Sequence, residues 1–317
     1  MIGPATSSPL HRSGAALSVP ASILPAIAVV VLSLTTGCAS TAGQWQLEQG
    51  EGGRLESEAV ATRDRVTAEE LGEAKRQHAL ASDATSLAQA IALFEALLER
   101  QPGQADVQVE LAEALVLYGA AYETRRADKR RRFIAAQAHA ENVLLANAGF
   151  RAAMAAGQRP GQAASQLGEN DVPAMVIWAT ATAYLFDEGM SSLGRLRNFR
   201  GLDDLRLFME RAMALNPYHE YGLVPFSLAV FHIAAPAIAG GNLERAAELI
   251  EQAIDTPGVS LLPRWGRARY LHTQTGDLDA LRADLDWILT QDPEAVDSPF
   301  RWNVYVQRDA RRMLDAL

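Results

Sequence analysis

Four apolar stripes, all in one register and each closed by a proline, constrain what this chain can fold into. Leu87, Ala90, Ile91, Phe94, Leu97 and Leu98 form the first. Leu202, Leu205, Met209, Ala212 and Met213 form the second. Leu243, Ala246, Ala247, Ile250, Ala253 and Ile254 form the third, and Leu278, Leu281, Leu285, Ile288 and Leu289 the fourth. Each fills i, i+3, i+7, i+10 and i+11, which is one face of a three-turn helix. Pro102, Pro217, Pro257 and Pro293 follow at nearly the same place. Proline lacks the N–H and disfavours helix in the residue before it, so each helix must stop and turn. Gly241-Asn242 and Gly276-Asp277 add a breaker and an N-cap before the last two stripes.

From Leu243 to Leu278 is 35 residues, close to the tetratricopeptide period of about 34. A second apolar helix is expected after each proline, over 105–122, 220–235, 261–275 and 299–317. In the third of these, Trp265, Ala268 and Leu271 alternate large, small and large, which lets a paired helix approach closely. The expected fold is all-α, a tetratricopeptide-like helix-pair solenoid with degenerate repeats. The competing reading is a generic helical bundle with coincidental proline spacing. Between the first two stripes the pattern changes. A long helix is expected over 129–145, and a flexible Ala/Gly/Gln-rich excursion over 151–166. An almost wholly apolar helix is expected over 172–186, either plugging the concave side or packing on another subunit. The second option leaves a homo-oligomer open.

The chain of 317 residues has one cysteine, Cys38. A single cysteine excludes an internal disulfide framework and a thiolate metal cluster. It follows a stretch with no charged residue from Ser13 onward, apolar over Ile23–Leu34 and ending Thr35-Thr36-Gly37. That order is n-region, h-region and processing site. It resembles a bacterial lipoprotein signal, with Thr35 where Leu is usual, and makes Cys38 the candidate lipidation site. An uncleaved anchor and an ordinary cleaved signal are the alternatives. The expected division is a signal peptide over 1–37, a flexible tether over 38–66 and a helical body over 67–317. Ala39 and Ser40 lack the aspartate of inner-membrane retention, so the periplasmic face of the outer membrane is the expected location.

Four segments carry a family resemblance: "ALVLYGAAYE" (114–123), "NDVPAMVIWATATAY" (170–184), "LFMERAMALNPYHEYG" (207–222) and "FHIAAPAIAGGNLERAAELIEQAI" (231–254). Their order resembles the T component of TRAP transporters, the TatT family, over about residues 85–310. Pro236, Gly240, Gly241 and Asn242 lie in the most specific segment. Asn242 stands where members more often have Asp, and the helix from Val172 has one Trp where members often have two. The resemblance implies a non-enzymatic periplasmic lipoprotein that docks a TRAP-type substrate-binding protein and assists small-solute uptake. The alternative is an outer-membrane-anchored scaffold for envelope or secretion-machine assembly.

The residues themselves point away from catalysis. His11, His78, His139, His219, His232 and His272 form no paired ligand motif. Gly240-Gly241 lacks the strand and the Lys-Ser/Thr of a phosphate loop. No catalytic residue, metal site or cofactor is expected. A formal charge of −9 argues against nucleic acid. Two sets of residues are candidates for binding. Arg125, Arg126, Lys129, Arg130, Arg131 and Arg132 form one dense basic run, either a solvated helix face or a dock for an acidic partner or lipid headgroups. Trp178, Tyr184, Tyr218, Tyr221, Phe226, Phe231 and His232 are candidates for lining the concave groove, or else for ordinary repeat packing.

Overall fold

The computed structural model describes residues 45, 66–198 and 200–317. Every regular element among them is helical. The chain runs through α1 (Ala68–Ala79), α2 (Ala84–Arg100), α3 (Ala105–Ala121) and α4 (Arg126–Ala146). It continues through α5 (Ala148–Ala155), α6 (Pro160–Ala163), α7 (Val172–Tyr184), α8 (Ser192–Arg197) and α9 (Arg200–Leu215). The last set is α10 (Leu223–Ala234), α11 (Leu243–Ile254), α12 (Leu262–Gly266), α13 (Thr273–Thr275), α14 (Leu278–Thr290) and α15 (Phe300–Asp315). A π-helical segment, Arg267–His272, joins α12 to α13.

The four stripes are α2, α9, α11 and α14, and each ends two or three residues before its proline. Phe94, Met209, Ile250 and Leu285, at the seventh step of each stripe, are fully buried. The caps form as expected. Asn242 accepts the Arg245 N–H at 3.0 Å and Asp277 the Ala280 N–H at 3.0 Å, each satisfying one orphan donor. Thr67 and Glu70 close a capping box on α1. Neighbouring helices pair along the chain as in a helix-pair solenoid, α2 on α3, α3 on α4, α9 on α10, α10 on α11 and α14 on α15. The first position of the third and fourth stripes behaves differently: Leu243 and Leu278 are exposed.

Two expectations need correction. The 151–166 segment is helical for most of its length. Asn147 caps α5 by accepting the Phe150 N–H, and Phe150 and Met154 are buried beneath it. Pro160 opens α6 at a position where its missing N–H costs nothing. Arg159 ties this region to Asp203 and Asp204 on α9 at 2.9 and 2.8 Å. The alanines supply helix propensity that outweighs the scattered glycines. The helix expected from 220 starts at Leu223, because Glu220, Tyr221 and Gly222 all take positive φ and form its turn.

The apolar helix α7 packs within its own chain, against α3, α4, α9 and α10. Apart from Trp45 and Val66, the signal and tether expected over 1–66 lie outside the described residues. Trp45 is half-buried and rests on the body, its ring 5.4 Å from Phe150 and 6.1 Å from Trp178.

Candidate functional site

The last helix returns to the first helices and closes the solenoid. Arg301 on α15 makes a two-pronged ion pair with Glu113 on α3, Nε to Oε1 at 2.9 Å and Nη2 to Oε2 at 2.6 Å. Trp302 Nε1 donates to the same carboxylate at 2.7 Å. Arg308 donates to the Ala121 carbonyl at 3.0 Å and covers the Tyr122 ring. Burial pushes the Glu113 carboxyl up, but the charges of Arg301 and His78 and the hydrogen bonds from Arg301 and Trp302 together outweigh it and hold the group below the ordinary carboxylate value.

Beside this clasp lies a half-open cavity of about 2420 Å³ with a mainly apolar wall. One face of α7 lines it through Val176, Ile177, Thr180 and Ala183, and Leu223 and Phe226 of α10 continue the wall. The turn from Pro236 to Leu243 forms part of its edge. Gly240 has a φ of 92°, which glycine alone adopts freely. Gly241 lies so close to the Ala235 carbonyl that a Cβ would sit 1.8 Å from its oxygen. His232 Nδ1 donates to the Gly240 carbonyl at 2.9 Å, and the Asn242 N–H donates to the His232 carbonyl at 2.9 Å. The double glycine is therefore a compact reversal between α10 and α11.

Charges on the wall are mostly paired. Lys129 binds Glu188; Arg269 reaches Glu188 at 3.5 Å and Asp309 at 2.8 Å. Trp265 Nε1 also donates to Asp309, at 2.8 Å. Tyr184 and Tyr270 are pushed well up by burial, and Tyr305 to about 12, so these phenols stay neutral donors. Glu220 is the exception. Among the described residues its carboxylate makes no hydrogen bond and one long ion contact, with His219 Nε2 at 3.9 Å, while Glu113, Glu110 and Arg301 act on it through charge. Desolvation against the cavity wall, with Glu113 nearby, pushes its carboxyl up to about 7, although the side chain keeps 43% of its surface exposed. Burial moves His219 the other way, below the usual imidazole value.

One trio among the described residues, His78, Glu110 and Glu113, brings three ligand atoms within 4.8 Å of one another. It does not fit a cation: both Glu113 oxygens are occupied by Arg301, and His78 Nδ1 is bonded to Glu110 at 2.8 Å. No arrangement of nucleophile and base lines the cavity among the described residues.

The candidate residues from the sequence divide. Tyr184, Phe226, Phe231, His232, Pro236, Gly241 and Asn242 line the cavity; Trp178, Tyr218, Tyr221 and Gly240 do not. Trp178 is buried on the opposite face of α7, and Tyr218 and Tyr221 are exposed elsewhere. The basic run also splits. Lys129 turns to the cavity and Arg132 lies over Tyr118 while pairing with Glu123 at 3.2 Å. Arg125 and Arg131 share Asp128. Arg126 and Arg130 are exposed and make no ion pair with a described residue. Glu113, Glu188, Glu220, Arg269 and Arg301 escaped the sequence reading. Apart from the contact of Glu220 with its neighbour His219, their partners lie far away in the chain and share no motif.

A family model described as TRAP transporter T-component matches residues 79–317. The chain belongs to the TRAP transporter T-component family. Membership gives it a role in TRAP transport and a bacterial envelope location. No curated protein matches the chain. Among solved structures it is similar to a thermophilic TPR protein from Thermus thermophilus. Identity is 17%, covering 78% of this chain and 97% of that one, with a TM-score of 0.48. No described helix of this T-component protein is long and apolar enough to cross a membrane.

Proposed function

We propose that this T-component protein is a non-enzymatic periplasmic lipoprotein, anchored through Cys38 to the outer membrane, that docks a TRAP-type substrate-binding protein and assists small-solute uptake. The observation that carries the reading is an apolar rim. Ile238 is 96% exposed, Leu278 58% and Leu193 55%, and all three border the cavity, as do Leu243 and Leu317. Exposed large apolar residues collected around one opening are the mark of a surface that another protein covers. The closed solenoid supplies a rigid frame for such docking.

The test is calorimetric titration of the cognate substrate-binding protein, with and without its solute. Binding in the micromolar range or tighter is expected, since confinement in the periplasm raises effective concentration. Ile238→Asp and Leu278→Asp should each weaken it tenfold or more while leaving the helical circular dichroism spectrum unchanged. Undiminished binding by both variants would remove the rim from the interface. No binding by the wild-type protein at tens of micromolar would overturn the docking role.

A further inference from the structure

Trp45 is seven positions beyond Cys38 and is packed into the body. Its seat is aromatic: Phe150 of α5 and Trp178 of α7 touch it, and Phe208 of α9 backs both at 6.1 and 4.8 Å. Trp178 is itself fixed by its indole N–H, which donates to Glu141 at 3.0 Å. An aromatic seat of this size holds a tryptophan by buried area and tilted ring contacts.

The seat and the cavity lie on opposite sides of one helix. At 3.6 residues per turn, Val176, Ile177, Ala179, Thr180 and Ala183 all project about 100° or more away from Trp178. These are the α7 residues that line the cavity near its middle. The segment beside the seat, from Asn142 to Gly168, has no Asp or Glu; its Arg151 is exposed, while its Arg159 is paired with Asp203 and Asp204 of α9.

We infer that the surface around the Trp45 seat, the α5–α6 side of the body, is the side that faces the bilayer, so that the cavity is held on the side away from it. The inference rests on acylation of Cys38. Seven residues span at most about 25 Å when fully extended, so a lipid on Cys38 cannot be farther than that from the docked Trp45. The exposed Arg151 on this side then meets the anionic headgroups favourably. The occupant is a lipid surface rather than a protein, because a leash of that length keeps this side nearest the headgroups.

The test uses the full-length protein, expressed with its signal, purified in acylated form and reconstituted in phosphatidylethanolamine–phosphatidylglycerol vesicles. If Cys38 carries lipid, an added cysteine is the only free thiol. A donor dye is placed on Ala152→Cys, exposed on α5, or on Ile238→Cys, exposed at the cavity rim. Energy transfer to a headgroup acceptor should be at least twofold greater from position 152. Trp45→Ala should bring the two values together. Equal or reversed transfer in the wild-type protein overturns the orientation, and an unchanged ratio in Trp45→Ala overturns the role of the seat. Vesicle flotation separates the two readings, since protein that does not float has no anchor and the orientation falls with it. Docking of Trp45 has its own readout, the 5-fluorotryptophan NMR line assigned by Trp45→Phe. Phe150→Ala should shift that line, and an unmoved line means that Trp45 is not seated.

Discussion

The indole N–H of Trp178 donates to the carboxylate of Glu141 at 3.0 Å, and both side chains are sealed between α4 and α7. Burial drives the Glu141 carboxyl up to about 7, with the Trp178 bond pulling weakly the other way. A carboxyl raised in the folded state binds its proton where the unfolded chain has lost it. Its contribution to stability is therefore present below the ordinary carboxylate value and fades as pH rises toward 7. Glu141→Gln keeps an oxygen for Trp178 and removes the titration. It should be more stable than wild type at pH 7.5, by on the order of 2–3 kcal/mol, and show a flatter stability profile between pH 4.5 and 7. Denaturant melts across that range check it, and parallel profiles would refute it. Glu220, 43% exposed and screened by solvent, contributes at most a weaker slope of the same sign.

The Glu113–Arg301 pair should behave oppositely with pH. Glu113 is held low, so its stabilisation is present above the ordinary carboxylate value and is lost as pH falls through the lower folded one. Arg301→Ala leaves a buried carboxylate with Trp302 as its remaining hydrogen-bond donor and should cost about 3–5 kcal/mol. Thermal melts of Arg301→Ala and Arg301→Lys measure it. A loss under about 1 kcal/mol for both, the level of an exposed pair, would mean that α15 is held by packing alone.

At the α10–α11 reversal, Gly241→Ala should be far more damaging than Asn242→Ala. The first drives a methyl into the Ala235 carbonyl, while the second removes one cap, worth about 1 kcal/mol. Asn242→Asp should be close to neutral, since aspartate caps equally well. Melting temperatures of the three variants give the ranking, and equal losses would contradict it.

Processing at Cys38 has a direct readout. Intact mass of the native protein should correspond to a chain beginning at an acylated Cys38, and Cys38→Ser should accumulate with its signal attached. A native chain that retains residues before Cys38, or a free thiol there, excludes the anchor.

The repeats could be read from the sequence because their signals are local. A stripe such as Leu87 to Leu98 needs only its own spacing, and Pro102 or Asn242 acts on its nearest neighbours. The cavity wall was partly legible for the same reason, through Phe226, Phe231, Pro236 and Gly241. The closure was not, because Glu113 and Arg301 are 188 residues apart and each looks like an ordinary surface charge on its own helix. The 151–166 segment misled in the other direction. Its glycines and glutamines suggested looseness, yet Phe150 and Met154 had already committed α5 to the core. Trp45 carried no periodicity at all, so only packing identifies it.

An open array of helix pairs touches only its neighbours, and its outermost units unravel first. In this chain α15 meets α1 as well as α3, so the outermost units are neighbours of each other. Melting should then proceed in one step rather than from the ends inward, and cutting the Glu113–Arg301 clasp should restore a weak end from which the chain peels apart.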